Sequence, residues 1–505
     1  MSNSLKKLAS QTAIYGLSSI LGRFLNYLLT PLWTNEAIFS KEQFGVITEM
    51  YAYVAFLVVL LTYGMETTFF RFANKPENNS DTVFSTSFLS VFFSTLIFIG
   101  LSISYQQNIA DWLMYPEHTE YVVWFALIVG LDAVSSIPLA QLRLLNKAKQ
   151  FALINMVNIL VNIGLNVFFL FYCKINFDNG NTNWIIEMFY NPNIGVGYVF
   201  IANLIASVIK FILLLPYCNN FKFDFSKPLF QKMLRYTMPL LFVGLAGIVN
   251  ETIDRILLKR LLVGKYTLKE TMGFLGIYGA NYKLSIVITL FIQAFRYAAE
   301  PFFFSMEKQD NSKMIYAKVM HYFLIVLNFV FLAVILHLDI LKYFINNKEL
   351  WEGLDIVPIL LLANICLGVY YNLSIWYKLS EKTGYGAVIS IIGAVATIIL
   401  NLALIPFFGY RGSAWATLLC YALMVVISYY WGQKYYPIPY KIKRAIGYFF
   451  ITGMLLLLGK LLDFEADTVL FWIKNLLLLG VFIFLCIKLE KIQLSPILQK
   501  LKLKK

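Results

Sequence analysis

Apolar runs of about 20 residues or more recur from residue 8 to residue 488, separated mostly by short polar connectors. A helix rises about 1.5 Å per residue and needs to cover roughly 30 Å of hydrocarbon, so each run is long enough to cross a bilayer. The runs predict helices over 8–33, 44–70, 82–105, 120–142, 151–173, 196–218, 233–258, 275–299, 319–341, 354–377, 385–406, 412–431, 446–462 and 468–488. That is about fourteen spans in an all-α, polytopic membrane protein. The run after MSNSLKKLAS continues to about Trp33, beyond a signal-peptide core and without a clear small-residue cleavage site, which predicts a retained first helix.

Composition agrees. Of 505 residues, 59% are hydrophobic and 14% charged, and a single water-soluble core could not hide that much apolar surface. The net charge of +14 does not point to nucleic acid, because Lys and Arg are spread over many loops and form no basic domain. The cysteines Cys173, Cys218, Cys366, Cys420 and Cys486 stand singly, without a CxxC pair or metal-ligand spacing. No GxxxxGK[ST] is present for ATP hydrolysis by a P-loop. KTGYGA at 382–387 echoes a potassium filter, but one copy cannot build a four-fold ring of carbonyls.

With the N-terminus cytoplasmic, the cytoplasmic segments collect about 26 Lys and Arg against about 10 opposite, so both termini are expected in the cytoplasm. An internal repeat adds a second constraint. LRLLNKAKQFALINMVNILVNIGLN from Leu142 and YKLSEKTGYGAVISIIGAVATIILN from Tyr377 each run from a basic loop into a helix, with Lys147 and Lys382 preceding Asn166 and Asn401 by the same interval. Six helices per unit is an even number, so the repeats enter the membrane in the same sense, with a substrate path between them. The expected organisation is an N-lobe over 1–218, a linker over 219–232 and a C-lobe over 233–431. Two further helices follow over 432–488, and then a basic tail over 489–505.

Ionisable groups inside a span cost about 2.5–3.5 kcal/mol on insertion scales, so they normally face a cavity or a partner. Arg23 lies well inside the first helix with Asn26 one turn on, suited either to a cavity or to a structural pair. Asp132 is central in the fourth, as a cation-coupling carboxylate or the partner of an arginine such as Arg23. In NETIDRILLK at 250–259, Glu251 and Arg255 share a helical face, which makes either a salt bridge or, with Asn250 and Asp254, a cavity wall. The next helix adds Asn281, Lys283, Arg296 and Glu300, the last two near an interface. Glu66 terminates the second helix and reads as an interfacial anchor, and Lys210 reaches toward an interface. Arg23, Arg255, Lys283 and Arg296 form a cationic set suited to phosphate or pyrophosphate, which guanidinium binds through paired hydrogen bonds.

The segments YGMETTFFRF at 63–72, LRLLNKAKQF at 142–151, NETIDRILLK at 250–259, GIYGANYK at 276–283 and FIQAFRYAAEPFFF at 291–304 resemble the Wzx-type polysaccharide flippases. These belong to the multidrug/oligosaccharidyl-lipid/polysaccharide exporter superfamily, and the resemblance covers almost the whole chain. It implies a transporter of the bacterial inner membrane, not an enzyme, with two six-helix lobes around a central cavity. The cargo would be undecaprenyl-pyrophosphate-linked oligosaccharide, moved from the cytoplasmic to the periplasmic leaflet by rocking of the lobes, with other polysaccharide-assembly proteins as partners. Arg23, Arg255, Lys283 and Arg296 would hold the anion, and Asn26, Asn250 and Asn281 would line the cavity. Asp132, Glu251, Asp254, Glu66 and Glu300 are candidates for ion pairing or for coupling to a proton or sodium gradient; no cofactor is implied. Alternatives are a multidrug cation antiporter or a peptidoglycan-precursor flippase of the same superfamily. A membrane glycan polymerase or ligase fits less well, since the largest external connector is only about 174–195.

Overall fold

The computed structural model describes residues 16, 20–218, 224–307, 309–462, 464–466 and 468–491. The start of the helix expected over 8–33, part of the linker and most of the basic tail lie outside the described residues. Among these residues twelve helices are long and apolar enough to cross a membrane, and the chain is a multi-pass, all-α membrane protein. The principal helices are α1 (Lys41–Thr62), α2 (Met65–Ala73), α3 (Ser80–Ser104), α4 (Gln106–Leu113), α5 (Thr119–Leu144), α6 (Ala148–Asn166), α7 (Gly197–Leu214), α8 (Lys227–Leu262), α9 (Leu268–Met306), α10 (Ser312–Leu336), α11 (Val357–Leu373), α12 (Thr383–Phe408), α13 (Tyr410–Tyr435), α14 (Ile442–Leu461) and α15 (Val469–Leu489).

Three departures from the apolar pattern have physical causes. The helix expected over 233–258 is α8, 36 residues long; its charges keep it off the apolar spans, and it continues past Leu258 because Lys259 has a buried partner. The helix expected over 44–70 breaks at Tyr63 (φ 35°) and Gly64 (φ 75°), where Thr237 of α8 donates its hydroxyl to the Tyr63 carbonyl. After Asn166 the backbone widens into a π-helix over Val167–Lys174, a change that leaves no mark on hydrophobic periodicity.

Contacts group the connectors at two ends of the bundle: Thr82 meets Asp224 and Glu300 meets Lys378 at one, and Lys41 meets Glu349 and Thr34 meets Asn346 at the other. The basic end carries the Lys- and Arg-rich connectors around residues 75, 145, 227, 310, 380 and 440; the opposite end carries those around 36, 116, 185, 265, 345, 409 and 465. Large apolar side chains such as Ile97, Leu153, Phe450 and Leu476 are exposed on the outer surface, as a lipid solvent permits.

α1 and α9 cross near the opposite end at backbone contact. A Cβ on Gly45 would stand 2.1 Å from the Met272 carbonyl oxygen, and one on Gly276 2.0 Å from that of Lys41. Only glycine allows such an approach. Both helices begin with a capping box, Ser40 with Gln43 and Thr267 with Glu270, which satisfies the amides of the first turn.

The two repeated stretches share local geometry. Asn146 and Glu381 both take φ 56°, and the lysine after each precedes the first residue of a helix. Lys147 then lies 5.3 Å from the ring centre of Tyr217, and Lys382 4.2 Å from that of Tyr435. Asn166 and Asn401 are fully buried, each donating to the carbonyl four residues back.

Candidate functional site

The polar residues of α8, α9 and α11 converge on a cluster of tyrosines. α8 presents Glu251 and Arg255 one turn apart. The Arg255 guanidinium lies 4.4 Å from the ring centre of Tyr282 on α9, donates to the Glu251 backbone carbonyl at 2.5 Å and pairs with Asp254 at 3.1 Å. Asp254 also accepts the Tyr278 hydroxyl and is 4% exposed, so its charge is committed inside the protein. The Glu251 carboxylate is exposed and acts electrostatically on Tyr282, Tyr371 and Tyr421; it forms no ion pair among the described residues. The arginine partner thus lies next door in sequence rather than four residues back.

Tyr371 on α11 gathers the second half. Arg296 stacks over it at 4.6 Å, and Arg23 and Glu251 also act electrostatically on it. Arg23 and Asn26 are exposed on the helical stretch over residues 20–27, and Arg23 has no ion pair among the described residues. Lys283 is half-buried and interacts with the positive charge of Arg255, and it too has no ion pair there. Arg255 thus meets Tyr282, Arg296 and Arg23 act on Tyr371, and Lys283 joins the set only through the charge of Arg255.

The other candidate carboxylates are ion-paired. Asp132 on α5 is bound by Lys210 of α7 at 2.5 Å and by Ser207 at 2.9 Å, so its cation is Lys210 and not Arg23. Glu66 pairs with Arg143, tying α2 to α5. Glu300 meets Lys378 at 2.5 Å and Arg296 only at 4.0 Å.

Two of the three asparagines act as helix ties. Asn250 donates to the Ser390 carbonyl at 3.2 Å and accepts from the Thr397 hydroxyl at 3.0 Å, both on α12. Asn281 donates to the Leu350 carbonyl at 2.7 Å. Both side chains are buried and spent on packing.

Several participants escape sequence reasoning. Tyr282, Tyr371 and Tyr421 are three of 32 tyrosines, and composition does not single them out. Asn372 is 3% exposed with neither side-chain polar atom hydrogen-bonded; it lines a cavity of about 20 Å³ together with Arg296, Glu300, Tyr371 and Lys378. Lys259, which the apolar pattern places in a loop at the opposite end, is fully buried against Glu49 at 2.8 Å. Its position one turn after Arg255 on the same face was the available signal.

The polysaccharide biosynthesis protein family matches the chain over residues 8–307. No match was found among curated proteins. Among solved structures the chain is similar to the lipid II flippase MurJ in an inward closed conformation, at 16% identity and a TM-score of 0.70, covering 94% of this chain and 98% of that one. It is similar to an inward-facing multidrug resistance MATE family transporter of the MOP superfamily at 13% identity and a TM-score of 0.62, covering 81% and 93%. A MOP superfamily transporter from Pyrococcus furiosus aligns at 11% identity and a TM-score of 0.53, covering 84% and 95%. These likenesses establish a shared fold.

Proposed function

The chain belongs to the polysaccharide biosynthesis protein family, and from that premise we propose that it is a flippase of the MOP superfamily carrying polyprenyl-pyrophosphate-linked oligosaccharide across a bacterial inner membrane. Residues 1–218 and 233–431 act as lobes, both termini face the cytoplasm, and the headgroup passes between the lobes by alternating access. Other polysaccharide-assembly proteins supply and consume the glycan.

The observation that carries this reading is the cationic set around Tyr282 and Tyr371. Arg23 and Lys283 have no ion pair among the described residues, and Arg296 holds Glu300 only at 4.0 Å. Uncommitted cations among aromatic rings suit a pyrophosphate flanked by sugars, because guanidinium donates paired hydrogen bonds to phosphate oxygens while rings cover the sugar faces. The prenyl chain stays in the lipid. An apolar cavity of about 340 Å³ between α10, α11, α13 and α14, bordered by Tyr440 and Lys441, gives part of it a surface to lie against. Coupling to a proton or sodium gradient falls to Glu251, the candidate carboxylate left without an ion pair among the described residues.

The test uses purified protein in liposomes containing a fluorescent undecaprenyl-pyrophosphate oligosaccharide, reading the fraction of headgroups accessible in the opposite leaflet for wild type and Arg23→Ala. Translocation lost in the variant supports the reading. Translocation of lipid II alone moves the chain to the peptidoglycan-precursor reading, and efflux of drug cations without headgroup movement moves it to the multidrug one.

A further inference from the structure

We propose that Glu49, Lys259 and Tyr115 form a buried latch that holds the two lobes together at the opposite end, and that this end opens only when the latch comes apart. The Lys259 ammonium on α8 lies 2.8 Å from Glu49 Oε2 on α1, and both side chains are 0% exposed. Tyr115, just past α4, donates its hydroxyl to the same carboxylate oxygen and turns its ring to the ammonium at 3.9 Å. Lys259 also donates to the Leu113 carbonyl at 2.6 Å, and Arg260 to the neighbouring Trp112 carbonyl at 2.5 Å. Two successive cations of α8 thereby cap the C-terminus of α4, where helix carbonyls point outward unpaired and the dipole favours positive charge. Met272 of α9 stands 3.7 Å from the Tyr115 hydroxyl, and Tyr53 completes the surroundings through its charge interaction with Glu49.

The location makes this a latch rather than a general stabiliser. α1 and α4 belong to the segment assigned as N-lobe, and α8 and α9 to the C-lobe. The same end holds the backbone contact of Gly45 with Gly276, the Lys41–Glu349 pair at 3.1 Å and the Asn346 amide bonded to Thr34 at 3.2 Å. A fully buried ion pair recovers its desolvation only while both partners and their extra donors are in place. In an open state water hydrates both ions, so separating them together is inexpensive. Neutralising one of them leaves the other bare in the closed state. A pair of this kind specifies one arrangement more than it deepens its stability.

The inference is tested on conformation, without reference to any cargo. With the five native cysteines replaced by serine, Lys41→Cys and Glu349→Cys are joined by a short bismaleimide in detergent, and crosslink yield reports closure at the opposite end. Glu49→Gln and Lys259→Met each lower the yield several-fold, and Glu49→Gln with Lys259→Met returns it to the wild-type level or above, since no charge is left unpaired. Tyr115→Phe, which removes one hydroxyl from an otherwise intact protein, lowers the yield less and keeps the test available if the single charge variants do not fold. Unchanged yields in Tyr115→Phe and in whichever charge variants fold overturn the proposal. So does a double variant as poorly crosslinked as the singles.

Discussion

The guanidinium of Arg296 sits 4.6 Å from the ring centre of Tyr371, while Glu300, one turn on, is held by Lys378 at 2.5 Å instead of closing on Arg296. An arginine whose nearest carboxylate is engaged elsewhere keeps its hydrogen-bond donors free for a ligand. Arg296→Ala is expected to lower headgroup translocation about 10- to 100-fold, the loss of one charge-assisted hydrogen bond of about 1.5–3 kcal/mol, with the melting temperature little changed. Tyr371→Phe, which keeps the ring face, retains most of the rate. The liposome accessibility assay measures both.

Asp132 and Lys210 lie 2.5 Å apart with side chains 27% and 11% exposed, and they behave as a structural pair. Removing one partner strands the other, so Asp132→Asn or Lys210→Met alone should destabilise by about 2 kcal/mol after allowance for partial exposure. The double variant recovers most of that. Melting in detergent reads the stability, and retained translocation by the double variant separates a structural pair from an ion-coupling carboxylate.

Gly276 and Gly247 offer a controlled contrast. A methyl at Gly276 would meet the Lys41 carbonyl oxygen at 2.0 Å, a backbone atom that cannot swing away, whereas one at Gly247 meets nothing within 4 Å. Gly276→Ala is expected to abolish the close crossing of α1 and α9 and to reduce the yield of monodisperse protein severely. Gly247→Ala should leave the melting temperature equal or higher, since alanine is favoured over glycine in a helix by about 0.5–1 kcal/mol.

Glu490, just past α15, has its carboxyl held below the usual carboxylate range. Burial pushes it upward, but hydrogen bonds from His321 and Tyr448 and the charges of His321 and Arg444 outweigh that. Tyr448 donates at 2.9 Å and Arg444 at 3.3 Å, with His321 Nε2 at 2.8 Å. A depressed carboxyl contributes stability that is fully present above its unfolded value and lost as pH falls through its folded one. Wild type should therefore melt above Glu490→Gln at neutral pH, with the gap closing on acidification below about pH 4. A gap unchanged across that range would contradict the assignment.

Much of the candidate site was legible one residue at a time. Arg23, Arg255, Lys283 and Arg296 stand out because a charge in an apolar run is costly and seldom idle. Their partners were not legible, because a helix face constrains only residues three or four apart. Asp132 finds Lys210 from another helix, Arg255 takes Asp254 rather than the Glu251 side chain, and Asn250 and Asn281 are spent on neighbouring helices. Lys259 falls just outside the helix expected over 233–258 for a related reason: a lysine at the end of an apolar run reads as a loop charge unless a carboxylate far away in sequence is known to cover it.

The sequence by itself determined that the protein is an all-α membrane protein, roughly where most of its spans lie and which charges are out of place in lipid, because the bilayer imposes length and apolarity on every span independently of its neighbours. Only the tertiary structure decided which charges neutralise one another, which are left facing the tyrosines, and that Glu49 and Lys259 meet. Those outcomes depend on distances between helices far apart along the chain, set by contacts such as the one between Gly45 and Gly276 that no periodicity encodes.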